Sequence, residues 1–208
     1  MVGLGRGSIL CRECFYSIQI GSFFLFLIEN LKQLEVKQTN DIPYDMFWAS
    51  IRKKATNFDL NEIKPIKNDN ELINKPIGGL WTSPYQLVND YSDWIRWCKY
   101  NKPTWIPDNG VVITLKSNTI FCVINSPLAY LNCPRLKNEY GFKQDSLNFE
   151  KLSKDYDVLW VKPWNLWRFD KEIGYVFNAW DVETVLIMNP SIIESWKLIP
   201  ICNTDEKN

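Results

Sequence analysis

The chain has 208 residues, enough for one well-filled core with an N-terminal extra piece, and its 24 Lys and Arg balance its 24 Asp and Glu. That balance excludes the global positive field of a general nucleic-acid binder and leaves only a local basic groove open. Histidine is absent, which removes Ser-His and Cys-His nucleophile activation and every His-containing metal site.

Residues 1–40 read as an apolar, helical N-terminal extension. Cys11-x-x-Cys14 has the spacing of half a zinc site or of a redox pair, but no second C-x-x-C follows, so no metal is expected. The six cysteines lack the paired spacing of a small disulfide framework, which favours a reducing, cytoplasmic setting, with a secreted or host-delivered protein as the alternative. The apolar run at 15–28 is short for a membrane span and is not followed by a small-x-small cleavage pattern. It reads as a buried or partner-seeking helix, with secretion or membrane anchoring as the other readings, and no membrane partner is expected.

From residue 41 to 202 the pattern changes to short apolar runs separated by Pro, Gly and Asn, the signature of strands joined by loops. Strands are expected at 46–50, 79–83, 110–115, 119–124, 158–161, 175–177 and 184–188. Short helices are expected at 58–63 and 149–154, and a third opens at Ser92 in SDWIRWCKY, where Ser is a good N-cap next to an acidic residue. Residues 203–208 read as a disordered tail.

Three segments carry the functional signal. The first is MFWASIR at 46–52, followed by NFDLNEI at 57–63; the second is GGLWTS at 78–83 with the helix running to Cys98; the third is DVETVLIMNPSII at 181–193. In this order and spacing they resemble motifs of the ADP-ribosyltransferase superfamily, in its diphtheria-toxin-like and poly-ADP-ribose-polymerase-like branch, over residues 44–199. Trp48 stands where the family has His, Ala49 where it has Gly, and Trp81 where it has the stacking Tyr.

The resemblance implies an α+β fold, a split β-sandwich with short helices and with NAD in the cleft. It also implies mono-ADP-ribosyl transfer from NAD to a protein or nucleic-acid acceptor by a monomer that uses no metal. Breaking the bond between nicotinamide and ribose develops a cationic sugar, which a carboxylate stabilises. Glu183 would take that role and Asp181 would polarise the nucleophile, both facing one side if the strand already starts at 181, or else both are solvated strand-edge residues. Trp81 would stack on nicotinamide, or else is a core Trp. Gly79 would let backbone approach the ligand, Ala49 would offer backbone to the carboxamide, and Ser50 and Arg52 would take the adenosine ribose and the pyrophosphate. Trp48 fills the His position, and Ser83 with Thr82 would supply hydroxyls or merely end the strand. Side chains of Trp81, Ser50 and Glu183 should converge on one cleft lined by the Ala49 backbone. The alternatives are an NAD glycohydrolase, a non-catalytic module on the same fold, or an unrelated strand-rich domain.

Overall fold

In a computed structural model, residues 45–49, 58–69, 74–86, 91–137 and 145–201 are described. Ser50, Arg52, the N-terminal extension and the tail lie outside the described residues. The β-branched and aromatic runs form strands, since such side chains suit a pleated, buried surface. In chain order these are β1 (Asp45–Ala49), β2 (Leu80–Gln86), β3 (Tyr91–Ser92), β4 (Asn109–Leu115), β5 (Phe121–Ile124), β6 (Arg135–Leu136), β7 (Ser146–Leu147), β8 (Val158–Val161), β9 (Thr184–Ile187) and β10 (Ile193–Pro200). The helices are α1 (Asp93–Asn101), α2 (Pro127–Leu131), α3 (Phe149–Asp155), α4 (Pro163–Phe169) and α5 (Lys171–Val176). The chain is therefore mixed α+β, with one large sheet in the order β10-β4-β1-β2-β9-β8-β5 and β3 attached to β2. Every neighbouring pair along that order is antiparallel except β5 with β8.

Strand alternation divides the buried side chains between the two faces. On one face Leu80, Val185, Ile187, Trp160 and Phe121 join Phe58 in the main core. The other face buries Leu159, Leu186 and Cys122, which occupy the alternate positions. Fully burying a Leu, Ile or Val side chain contributes about 1.5–3 kcal/mol, so β8 and β9, buried at every position, anchor the sheet.

The expected strand at 175–177 is instead the end of α5 and the turn after it. Asp170 starts that helix by accepting from the N–H groups of Glu172 and Ile173 at 2.9 and 3.1 Å. Gly174 then lets α5 close on α4, because a Cβ there would lie 2.8 Å from Trp167 Cδ2. The expected helix at 58–63 is reduced to a 3₁₀ turn, Leu60–Glu62, capped by the Asp59 side chain. Strand β10, missing from the sequence reading, pairs with β4 from Ile193↔Leu115 to Pro200↔Asn109. Most of its side chains are exposed, so backbone pairing defines it and no apolar alternation announces it. Among the described residues no helix is long and apolar enough to cross a membrane.

One buried tether fixes the approach to the third motif segment. Asn74 is 2% exposed, with φ 54°. Its Oδ1 accepts from Leu147 N–H at 2.8 Å and its Nδ2 donates to the Val176 carbonyl at 3.1 Å. Its own carbonyl accepts from the Trp180 indole N–H at 2.8 Å.

Candidate functional site

Parts of the three motif segments, residues 46–49, 80–83 and 184–187, lie on three consecutive strands, β1, β2 and β9, at the middle of the sheet. β2 changes partners along its length. Its C-terminal half pairs with β1, ending at Phe47↔Ser83, while its N-terminal half pairs with β9 on the other edge through Thr82↔Val185, Trp81↔Leu186 and Leu80↔Ile187. Trp48 and Ala49 continue along β4, opposite Val111 and Gly110, with no partner in β2. The β1–β2 ladder thus ends between the first two segments.

Glu183 sits in the coil residue just before β9, with its side chain 23% exposed. The Trp160 indole donates from Nε1 to Glu183 Oε1 at 2.7 Å, and Lys162 Nζ lies 3.3 Å from the same oxygen. Lys162 Nζ also stands 4.3 Å from the centroid of the Trp160 ring. Trp160 is itself buried in the main core and pairs with Val185, so its N–H is a fixed donor. Thr82 pairs with Val185 from the other side, and its hydroxyl donates to the Val185 carbonyl at 2.6 Å. Thr82, Val185 and Trp160 form one cross-strand row, which continues to Val123 in β5, and the Glu183 carboxyl is held by the indole of its Trp160.

Trp81 belongs to the next row, Trp81–Leu186–Leu159, which points to the opposite face. Its ring meets Trp180 at 4.9 Å, and Lys75 Nζ stands 5.4 Å from its centroid. The convergence expected of Trp81 and Glu183 is therefore not found, and Trp81 packs as a partly covered aromatic. Asp181 goes with this second group. Burial lowers the Lys75 pKa against the raising effect of the Asp181 carboxylate, and burial followed by Asp181 pushes the Cys98 thiol up to about 11. The two carboxylates separate because residues 181–183 are not yet strand: Thr184 Oγ1 donates back to the Val182 carbonyl at 2.8 Å, a local turn that breaks the period of two.

The remaining expected residues are placed as follows. Gly79 has φ 66°, and a Cβ there would meet Ile66 Cδ1 at 2.7 Å and Leu186 Cδ1 at 2.8 Å. Glycine is needed there for packing against the protein itself and leaves no space for a ligand. Ser83 is 2% exposed and its hydroxyl bonds that of Ser92 at 2.6 Å. That bond also diverts Ser92 from the capping expected of it, since its side chain makes no cap bond to α1. Trp48 and Ala49 are described through their backbone pairing in β1, while Ser50 and Arg52 lie outside the described residues. Sequence reading passed over Trp160 and Lys162. The available signal was an indole in a fully apolar strand, VLWV at 158–161, since a buried indole N–H calls for an acceptor. Among the described residues no group of three or more Cys, Asp or Glu is arranged to hold a metal. In comparisons with known proteins, no family model, no curated protein and no solved structure matches this chain.

Proposed function

We propose that this chain has an ADP-ribosyltransferase-like fold and moves ADP-ribose from NAD to a macromolecular acceptor, with Glu183 as the catalytic carboxylate. One observation carries the reading: a partly exposed carboxyl, aimed by a buried indole N–H, stands beside the strand of the second motif segment where the sheet changes partners. The three segments that resemble the family's motifs fall on adjacent strands although they are far apart in sequence, which supports treating them as one constellation. NAD would supply the glycosidic bond and a neutral nicotinamide leaving group. Glu183 would bind the ribose 2′-hydroxyl and offset the positive charge that develops at the sugar. Trp160 holds the carboxyl in place and Thr82 lies on the same face. Nicotinamide stacking is not assigned to Trp81.

Lys162 favours a second reading, a non-catalytic module on the same fold. An ammonium 3.3 Å from the carboxyl offsets the negative charge that a cationic sugar requires. Transfer therefore needs Lys162 to turn toward another anion when substrate binds, and the NAD pyrophosphate is the natural one.

Labelled NAD incubated with the full chain, with and without cell lysate, tests both. Label on protein or nucleic acid supports transfer, and free ADP-ribose alone supports hydrolysis with water as acceptor. Neither product, together with no NAD-dependent rise in melting temperature at millimolar NAD, supports the module. Glu183→Gln is nearly isosteric and keeps an oxygen for the Trp160 N–H. It should abolish transfer while changing stability by less than about 1 kcal/mol, since the ion pair it removes is partly exposed. Unchanged turnover in this variant would remove Glu183 from its role.

A further inference from the structure

Two thiols on the face away from Glu183 stand apart from this chemistry. Cys122, on the sheet's end strand β5, and Cys133, two residues past α2, place their Sγ atoms 3.8 Å apart, and both are free. We propose that Cys122 and Cys133 form a reversible disulfide that staples the turn after α2 to the end of the sheet. A disulfide needs an S–S separation of about 2.05 Å, so closure requires an approach of under about 2 Å. The two groups differ in their freedom to make that move. Cys122 is fixed by its strand, which pairs residue by residue with β8 through Cys122↔Leu159. Cys133 ends a short turn whose preceding residues, Leu131 and Asn132, are exposed, and its Sγ donates to the Ala129 carbonyl of that turn at 3.2 Å.

The oxidant is a small-molecule disulfide such as glutathione disulfide. Cys133, 5% exposed against 1% for Cys122, attacks one of its sulfurs as thiolate and releases one glutathione thiolate. Cys122 then loses its proton and attacks Cys133 Sγ in the mixed disulfide, releasing the second. The protein gives up two electrons and two protons, and glutathione disulfide becomes two glutathiones. The hydrogen bond with Cys133, reinforced by burial, holds the Cys122 thiol well above its ordinary range. The reaction is therefore slow in the closed fold and proceeds as the turn opens. The staple would bind the short α2 to a strand whose outer edge has no pairing partner among the described residues.

The test uses the full chain, reduced, freed of reductant, and incubated folded with glutathione disulfide before alkylation and peptide mapping. The expected result is a peptide pair joined through Cys122 and Cys133, two hydrogens lighter than the sum and reopened by dithiothreitol. The melting temperature should rise by about 6–10 °C, as expected for closing a loop of this size. In Cys133→Ala the joined pair should vanish and Cys122 should be recovered alkylated. Recovery of both cysteines alkylated from the oxidised parent, or of Cys122 joined to a different cysteine, overturns the proposal without reliance on any variant.

Discussion

Replacing Asn74 by alanine probes the tether that sets the approach to Glu183. The substitution removes the bonds to Leu147 N–H and the Val176 carbonyl, and both partners lie at positions closed to water. A buried polar group left unpaired costs about 1–3 kcal/mol, so the pair costs about 2–6. Alanine also lacks the short polar side chain that lets asparagine occupy φ 54°, which adds about 1 kcal/mol. The expected loss is about 3–7 kcal/mol. At about 2–4 °C per kcal/mol for a chain of this length, the melting midpoint falls by about 6–28 °C. Asn74→Gly loses the same two bonds but accepts the backbone angle freely, so it should fall about 1 kcal/mol less. Thermal melts followed by circular dichroism, with urea titrations to give free energies, measure both variants. Two variants within about 1 kcal/mol of the parent would refute the tether, and alanine no worse than glycine would refute the backbone argument.

Three further outcomes follow from the same geometry. Trp160→Phe keeps the core ring but removes the 2.7 Å donor to Glu183; a hydrogen bond to a charged group is worth about 1.5–3 kcal/mol, so turnover should fall about 10- to 100-fold with the fold retained, and an unchanged kcat counts against the placement of the carboxyl. Asp181→Asn should hold turnover within about threefold, a difference of under about 1 kcal/mol, because Asp181 sits with Lys75 and Cys98 away from Glu183; a loss as deep as that of Glu183→Gln would reinstate it as a catalytic partner. Burial raises the folded Cys98 thiol from 9.0 to about 11, so above pH 9 the unfolded chain releases a proton that the fold retains. Stability present below pH 9 is then lost as pH climbs toward 11. Cys98→Ala should flatten that part of the profile, and identical slopes in parent and variant would show that the thiol does not contribute.

What the sequence determined by itself is local. The apolar runs between turn residues located β1, β2, β4, β5, β8 and β9 to within a few residues, and in β2, β4, β5, β8 and β9 strand propensity and burial agree. Ser92 and the acidic residue after it located the start of α1 and the run at 149–154 located α3. Segments whose own pattern conflicts with their surroundings were misread. Residues 175–177 look like strand, yet the Asp170 cap and the Gly174 contact with Trp167 make them helix and turn, and β10 exposes most of its side chains while its backbone completes the sheet. The placement of the site belonged to tertiary structure. A period of two assigns Asp181 and Glu183 to one face only if the strand has begun, and the Thr184–Val182 turn delays it. Which residue of GGLWTS shares a face with Glu183 depends on the register against β9, where a shift of one residue exchanges Trp81 for Thr82. The indole that orients the carboxyl comes from β8, a strand with no share in the three motif segments, and only pairing across the sheet brings the two together.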